Sequence, residues 1–299
     1  MIDRTRLLET LDGCVQAIGA NDAARVTWAP GARYAENCVE FPAGDGAWKT
    51  CTGLGDYDWS LADPETGQAA RFGTLYEQED HALFVMRIAV DEDGAVHEME
   101  MLVSRPTDAG VPFLSADLAH RPELSDRLSD NERGTRTRLV ELSNGYFDTL
   151  QRNDGRIHTR FHPDCQRREN GVQTTSNPRP DLADVAAYGC EEQFALGFYK
   201  FDNWIRARRY PLVDEVQGVV LSGGFIDHDG QTREYQLTNG DTKIGFFLRP
   251  HSFAFLEAFK IRDDAISAVE AVFHYVPYRT RSPWAEDGED PRLSSYATS

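Results

Sequence analysis

The amino-acid sequence predicts an α+β protein in which one domain occurs twice in tandem. The first reason is a repeat, because Leu7-Leu8-Glu9 returns as Leu139-Val140-Glu141 in the second half of the chain. The second is the order within each copy, where helical patterns come first and long apolar strands follow. The third is the length of 299 residues, which suits two domains of about 150 residues each. We therefore expect two similar units, each with helices ahead of an antiparallel sheet.

The repeat continues beyond its opening residues. The matches are Gly13 with Gly145, Asn21-Asp22 with Asn153-Asp154, Pro30 with Pro163, Glu36-Asn37 with Glu169-Asn170, Asp93-Gly94 with Asp263-Asp264, Glu100 with Glu270, and Pro106 with Pro277. The separation between partners is nearly constant near the start of each copy and is clearly larger near the end. This difference predicts an insertion of roughly 37 residues in the second copy.

Composition divides the chain into four segments. We expect a first domain over residues 1–106 and a linker rich in proline, alanine and aspartate over residues 107–128. A longer second domain follows over residues 129–284, and a polar tail over residues 285–299. Because the second domain carries the insertion, we expect the functional site to lie there.

The first copy shows one helix and a closing hairpin. The helix is predicted from apolar residues at helical spacing that stop before Asn21-Asp22, namely Leu7, Leu8, Leu11, Val15 and Ile18. Two apolar runs, residues 83–88 and 96–103, predict strands that pair across the turn at residues 91–94.

The second copy shows the same order with an added helical segment. Its opening helix is predicted from Leu139, Leu142, Tyr146 and Leu150, with Ser129-x-x-Glu132 as a capping box. A further helix is expected over residues 182–207, where phenylalanines recur among charges. The predicted strands cover residues 216–226, 253–261 and 266–276.

Composition also excludes several classes of function. The chain has 31 basic and 49 acidic residues, and its net charge of −18 disfavours binding to nucleic acid or to an anionic membrane surface. No apolar stretch approaches the roughly 20 residues of a membrane span, and the charged start does not resemble a secretory signal. The five cysteines are never spaced as Cys-x-x-Cys, so we expect free thiols in a reducing cytoplasm.

Several short motifs, taken together, resemble a known family. They are Arg33-Tyr34-Ala35-Glu36-Asn37, Ala47-Trp48-Lys49-Thr50, His162-Pro163-Asp164-Cys165, Arg168-Glu169-Asn170-Gly171, Arg209-Tyr210-Pro211-Leu212-Val213-Asp214, Glu270-Ala271-Val272-Phe273, Pro277-Tyr278 and Trp284. This pattern is similar to that of a two-copy SnoaL-like family within the nuclear transport factor 2-like superfamily. The resemblance covers most of residues 5–284.

The resemblance implies two cone domains, each a curved antiparallel sheet wrapped by helices around one apolar pocket. Relatives of this kind include isomerase-like, dehydratase-like, polyketide-cyclase-like and lignin-fragment lyase-like enzymes. They need no organic cofactor and move protons with His, Asp, Glu and Tyr. The implied function is a cofactor-independent lyase or isomerase that acts by acid–base catalysis. A lyase of a dehydratase or formaldehyde-releasing retro-aldol type is favoured over an isomerase or a hydrolase. The substrate would be small, apolar and aromatic or polyketide-like, such as a lignin-derived fragment.

Carboxylates in or beside apolar strands are the first catalytic candidates. Glu257 lies among phenylalanines at alternate positions, where burial would raise its pKa and suit it to acid–base work. Glu169 could abstract a proton while Arg168 stabilises a substrate oxygen. The alternatives are a salt bridge or a solvated face for Glu257, and a simple turn for the segment around Asn170.

Histidines are the next candidates, because they exchange protons near neutral pH. His228 follows an apolar strand, and the neighbouring Asp227 and Asp229 are expected to raise its pKa. His274, in the last predicted strand, is the second choice and a candidate for substrate binding. The alternative for either is a surface position or a satisfied core histidine.

Aromatic side chains suggest a flat ligand. Tyr199 could donate a proton to a developing oxyanion, as could Tyr34. The predicted binding residues are Asn170, Phe201, Trp204, His274, Tyr34 and Trp48. The alternative is a well-filled core.

The sequence carries no motif for a nucleotide cofactor or a serine nucleophile. His158 and His162 are spaced for a shared helix, but Phe161 and Pro163 suggest that no helix continues there, so no metal is expected. The expected partner is a small-molecule substrate, and the two copies are expected to form an intramolecular pseudo-dimer, with further homo-oligomers left open. The rival interpretation is a non-catalytic protein that binds a small hydrophobic ligand.

Overall fold

The computed structural model describes residues 2–108, 118 and 121–284. The predicted polar tail, residues 285–299, lies outside the described residues, as do residues 109–117 and 119–120 of the predicted linker. The predicted domain boundaries at residues 106 and 129 stay predictions.

The first copy folds as one long helix and a six-stranded sheet in the order β2-β1-β6-β5-β4-β3. Its elements are α1 (Arg4–Gly19), β1 (Trp28–Glu36), β2 (Val39–Phe41), α2 (Ala47–Thr50), β3 (Cys51–Asp63), β4 (Gln68–Glu77), β5 (Asp80–Val90) and β6 (Val96–Ser104). The buried face of α1 carries Leu7, Leu11 and Ile18, as the helical spacing predicts.

The second copy repeats this plan, with the sheet order β8-β7-β14-β13-β10-β9. Its elements, after a short α3 (Pro122–Ser125), are α4 (Arg136–Arg152), β7 (Phe161–Glu169), β8 (Val172–Gln173), α5 (Cys190–Ala195), β9 (Trp204–Asp214), β10 (Val219–His228), β11 (Glu234–Gln236), β12 (Thr242–Ile244), β13 (His251–Arg262) and β14 (Ala265–Val276). β11 and β12 form a separate hairpin.

The predicted fold class is confirmed: the chain is α+β and contains two tandem cone domains. One detail of the prediction is wrong, because the sheets are mixed rather than purely antiparallel. β1 runs parallel to β6, and β7 runs parallel to β14. These neighbours are not joined by a hairpin, so no tight turn forces them to run in opposite directions.

Two helix predictions in the second copy are corrected. The expected helix over residues 182–207 is instead a 3-10 turn at Asp184–Ala187, the short α5, and the start of β9. α5 stops because Gly197 adopts a φ of +65°, which ends a helix. Ser129 and Glu132 do bond to each other, but α4 begins later, where Thr135 accepts a hydrogen bond from the Arg138 backbone.

The predicted insertion is split into two parts. The end of β3 at Asp63 corresponds to the end of β9 at Asp214, and these two ends are further apart in sequence than the starts of α1 and α4. The separation grows again between the starts of β5 at Asp80 and β13 at His251. One added segment therefore lies between β8 and β9, and the other lies between β10 and β13.

The two sheets pack against each other through a shared apolar layer. It includes Leu61 and Phe72 from the first copy and Leu212 and Leu221 from the second. Two reciprocal ion pairs flank this layer. Arg4 at the start of α1 pairs with Asp214 at 2.7 Å, and Arg136 at the start of α4 pairs with Asp63. Because the two arginines occupy equivalent positions in the copies, as do the two aspartates, the contact repeats with the duplication.

Candidate active site

A cavity of about 480 Å³ lies in the second copy. Six of its lining residues belong to the sheet, namely Arg167, Glu169, Ile226, His228, Phe253 and Phe273. The others lie on the two added segments and are Thr174, Asp181, Leu182, Ala183, Val185, Ala186, Phe198, Tyr199, Phe201, Asp202, Phe246 and Phe247. The insertions therefore build most of the cavity wall, and the wall is largely apolar with a few charged groups.

Arg167 is the central charged group of the cavity. Its guanidinium is buried and donates to Gln193 Oε1 at 2.6 Å and to the Tyr199 hydroxyl at 2.5 Å. It also forms an ion pair with Glu169, with Nε 3.2 Å from Oε1. A buried arginine needs such partners because an unpaired charge is costly to desolvate.

The predicted arginine of the site is Arg168, but the alternation of the strand places Arg167 at the cavity instead. Successive side chains of a strand point to opposite faces, so Arg167 and Glu169 share the cavity face. Arg168 lies on the other face, next to Glu270 in the β7–β14 register and near Arg121 and Tyr57. Period-two spacing from Glu169 could have identified Arg167.

Gln193 fixes the orientation of this polar network. Its Nε2 donates to the backbone carbonyls of Thr174 and Val185, which leaves Oε1 to face Arg167 and Tyr199. The Tyr199 hydroxyl accepts from Arg167 and donates to Gln193 Oε1 at 2.6 Å. In this arrangement the proton of Tyr199 is already engaged, so the tyrosine does not present it to the cavity as predicted.

Asp202 is a second carboxyl group at the cavity, and the sequence analysis did not single it out. Burial, together with the charge of Glu169, raises its pKa well above the ordinary range of aspartate, so it is held protonated. Oδ1 of Asp202 lies 3.4 Å from Nδ1 of His228. The sequence feature that could have identified Asp202 is its position as an acidic residue between the aromatic residues Phe201 and Trp204.

His228 lines the cavity, but the predicted direction of its pKa shift is wrong. Burial and the neighbouring His251 lower its pKa to about 3. Asp227 cannot counteract this, because it lies on the opposite face of β10 and pairs with Arg206 at 2.8 Å. Nδ1 of His228 is 3.0 Å from the carbonyl oxygen of Phe201, so Nδ1 carries the proton of a neutral ring.

Glu257 is buried beside the cavity without lining it. Burial, and secondly the charge of Glu169, raises its pKa to about 8, and the Tyr146 hydroxyl is its hydrogen-bond partner. Glu270 lies at the interface between the copies and pairs with Arg121 at 3.1 Å. Burial raises its pKa to about 7.

Of the predicted binding residues in the second copy, only Phe201 is placed in the cavity wall. The amide of Asn170, at a φ of +45°, brackets the backbone of Phe273, with Oδ1 accepting at 2.8 Å. Trp204 begins β9 and does not line the cavity. His274 faces Asp108, with Nδ1 3.5 Å from Oδ2.

The equivalent positions of the first copy hold buried side chains that contact one another. Tyr34, the counterpart of Arg167, donates to Glu36 at 2.9 Å, and Glu36 accepts from the Ala47 backbone at 2.7 Å and pairs with Arg105 at 3.0 Å. Trp48 is buried against Tyr34. The predicted binding residues Tyr34 and Trp48 are thus core residues here, and the carboxylate that matches Glu169 is fully engaged.

Within residues 2–108, 118 and 121–284, no group of three or more His, Cys, Asp or Glu side chains could hold a metal ion. None of the described helices has the length and apolar character that a membrane crossing requires.

Comparison with known proteins identifies no reaction. A family model described as "Domain of unknown function (DUF8021)" matches residues 132–273, a little under half of the chain. The search of curated proteins gave no match. Three solved structures that are similar to part of this chain share 12–15% sequence identity with it.

These three structures illustrate the likeness. A steroid delta-isomerase from Pseudomonas aeruginosa is 15% identical, with 33% of this chain and 80% of that chain covered and a TM-score of 0.27. An NTF-2 like protein of unknown function from Burkholderia xenovorans LB400 is 14% identical, with 36% and 89% covered and a TM-score of 0.29. A proposed isomerase of the SnoaL-like family from Agrobacterium tumefaciens str. C58 is 12% identical, with 33% and 98% covered and a TM-score of 0.25.

Proposed function

We propose that the cavity of the second copy is the active site of a cofactor-independent enzyme that moves protons on a small aromatic or otherwise apolar molecule. The observation that carries this proposal is a pair of carboxyl groups with different surroundings on one apolar cavity. Glu169 is ion-paired with Arg167, whereas Asp202 is buried, and burial raises the pKa of Asp202 well above its ordinary range. Two carboxyls in different protonation states can serve as base and acid in one reaction.

Glu169 is the proposed base. Its carboxylate faces the cavity, with its side chain 20% exposed, so a ligand can approach it. Arg167 holds the carboxylate in place and balances its charge. His228 is the weaker candidate, because its lowered pKa makes it a poor proton acceptor and its Nδ1 is engaged with a backbone carbonyl.

Asp202 is the proposed acid. A protonated carboxyl can donate a hydrogen bond to an oxygen that gains negative charge, or a proton to a departing hydroxyl. This role replaces the predicted oxyanion contact of Arg168, which lies on the face toward the first copy. We therefore propose that a carbonyl or hydroxyl oxygen of the substrate binds at Asp202.

The aromatic wall defines the rest of the substrate. Phe198, Phe201, Phe246, Phe247 and Phe253 line the cavity, and such surfaces favour a flat apolar ligand. Proton removal next to a carbonyl, followed by departure of a β-hydroxyl group as water with a proton from the acid, gives a lyase. Removal of the proton of that β-hydroxyl group, followed by cleavage of the C–C bond to release an aldehyde and by protonation of the resulting enolate, also gives a lyase. Reprotonation at a second carbon gives an isomerase. Of the two we favour the lyase, with a lignin-derived or polyketide-like aromatic as substrate.

Deuterium exchange can test the proton-transfer step without knowledge of the natural substrate. Aryl ketones with α-hydrogens would be incubated with the protein in D2O, and the loss of the α-proton signal would be followed by NMR. We expect the wild-type protein to accelerate exchange, and Glu169→Gln and Asp202→Asn each to reduce the acceleration about 100-fold or more. Glu36→Gln is the matched control, because it alters the equivalent carboxylate in the first copy.

Three results would contradict this proposal. Exchange at the wild-type rate in both Glu169→Gln and Asp202→Asn would remove the assigned base and acid. Ketones that bind to the wild-type protein without any exchange, and that return unchanged, would favour the rival function of a ligand-binding protein. A folded Glu36→Gln variant with no exchange activity would show that the reaction depends on the first copy, contrary to the proposed site in the second.

A further inference from the structure

Three exposed apolar side chains occupy alternate positions of the second added segment, and the middle one belongs to the cavity wall. Ile244, Phe246 and Leu248 are 64%, 54% and 51% exposed, and we call them the apolar rim. Between them, Gly245 is buried and Phe247 lines the cavity. Phe246 also lines the cavity, so the rim continues the cavity wall out to the solvent.

The rim is held in place by contacts between the two added segments. The Phe246 ring packs 5.0 Å from Phe201 and 5.8 Å from Phe198, measured between ring centroids. Lys243, next to the rim, forms an ion pair with Asp184, whose neighbours Ala183 and Val185 line the cavity. These contacts connect the rim to the cavity wall.

We propose that the substrate is an amphiphile whose polar reacting group binds at Glu169 and Asp202 and whose apolar arm leaves the cavity across the apolar rim. This inference rests on the proposed function of the cavity and adds the class of substrate. An arm lying on the rim would remove apolar surface from water both on itself and on Ile244 and Leu248.

The size and charge of the surroundings favour a small-molecule arm over other occupants. A row of three side chains is much smaller than the roughly 800 Å² that each partner contributes to a stable protein interface. The chain's net charge of −18 opposes docking on an anionic lipid surface. Continuity with the cavity through Phe246 points to the ligand itself.

A homologous series of phenyl ketones tests the arm, because the head is constant and the chain grows by one methylene at a time. Binding of acetophenone through heptanophenone would be measured by calorimetry on the full chain. We expect affinity to rise two- to fourfold for each methylene that reaches the rim, fourfold being the value for complete burial. The double variant Ile244→Ser/Leu248→Ser should bind acetophenone as the wild-type protein does and lose the dependence on chain length.

The first copy offers a matched control. Val39 and Phe41 are also exposed, at 53% and 36%, on the edge strand β2. Val39→Ser/Phe41→Ser should keep the wild-type dependence on chain length. The proposal of an apolar arm would be overturned if affinity still rose with chain length in Ile244→Ser/Leu248→Ser, or if it did not rise with chain length in the wild-type protein. Either result would leave the proposed function intact. Failure of every ketone to bind would count against the proposed function and the arm together.

Discussion

The stability of the Glu257→Gln variant, measured relative to the wild type, should increase as the pH rises from 5 to 9. The carboxyl group is 1% exposed, and burial raises its pKa from 4.5 to about 8. The folded state thus keeps a proton that the unfolded state releases above about pH 4.5, so the wild-type free energy of unfolding falls with pH until the folded carboxyl also ionises. The difference of roughly 3.5 units between the folded and unfolded pKa values corresponds to about 5 kcal/mol in the free energy of unfolding. The wild-type protein loses about 4 kcal/mol of this between pH 5 and pH 9.

The glutamine variant lacks this dependence, because its amide does not titrate. Its carbonyl oxygen can still accept from Tyr146, while the new N–H groups are buried at a cost of about 1–2 kcal/mol at every pH. We therefore expect Glu257→Gln to be less stable than the wild type at pH 5 and more stable at pH 9. Urea denaturation of both proteins at each pH unit would measure the difference, in which the other titrating groups cancel.

A difference between the two proteins that does not change with pH would refute the assignment of a neutral buried carboxyl. Glu270→Gln provides an internal comparison, because burial raises the pKa of Glu270 to about 7. Its difference curve should therefore level off about one pH unit below that of Glu257→Gln.

Three further predictions follow from buried polar contacts. Gln193→Leu should lower turnover at least tenfold in a folded protein, because it removes the acceptor that orients Tyr199 and Arg167. An activity assay measures the turnover, and circular dichroism checks that the variant is folded. Arg136→Met should cost about 2–3 kcal/mol in urea denaturation, since the 1%-exposed carboxylate of Asp63 loses its ion-pair partner. Asn170→Ala should cost about 2 kcal/mol of thermal stability through its left-handed backbone and two lost backbone bonds, and an unchanged melting temperature would contradict this.

The fold was predictable because duplication repeats the same physical requirements at a fixed spacing. Asn37 and Asn170 both adopt a left-handed backbone, with φ values of +50° and +45°. Each amide brackets the backbone of the last strand, at Val103 and Phe273 respectively. A turn of this kind requires Asn or Gly, so the residue persists in both copies and marks the repeat.

The site was less predictable than the fold, because it depends on which face of a strand lines the cavity and which face packs against the other copy. Arg167 and Arg168 are adjacent and chemically identical in sequence, and a shift of one residue exchanges the cavity with the interface. The protonation of Asp202 depends on burial by segments distant in the chain, including Phe246. The spacing of residues along one segment does not show what each face of a strand packs against, nor which distant segments bury a side chain.

Comparison of the copies shows how one framework supports two different interiors. At the position of Glu36 and Glu169, the first copy satisfies the carboxylate with Tyr34 and a backbone N–H group, and buries Trp48 against Tyr34. In the second copy the neighbour is Arg167, which requires counter-charge, and the added segments supply a wall without filling the space. A filled core favours stability, whereas an open charged cavity is costly unless a ligand or a reaction uses it. We therefore propose that the first copy acts as the covering partner of an intramolecular pseudo-dimer, with its sheet packed against that of the second copy.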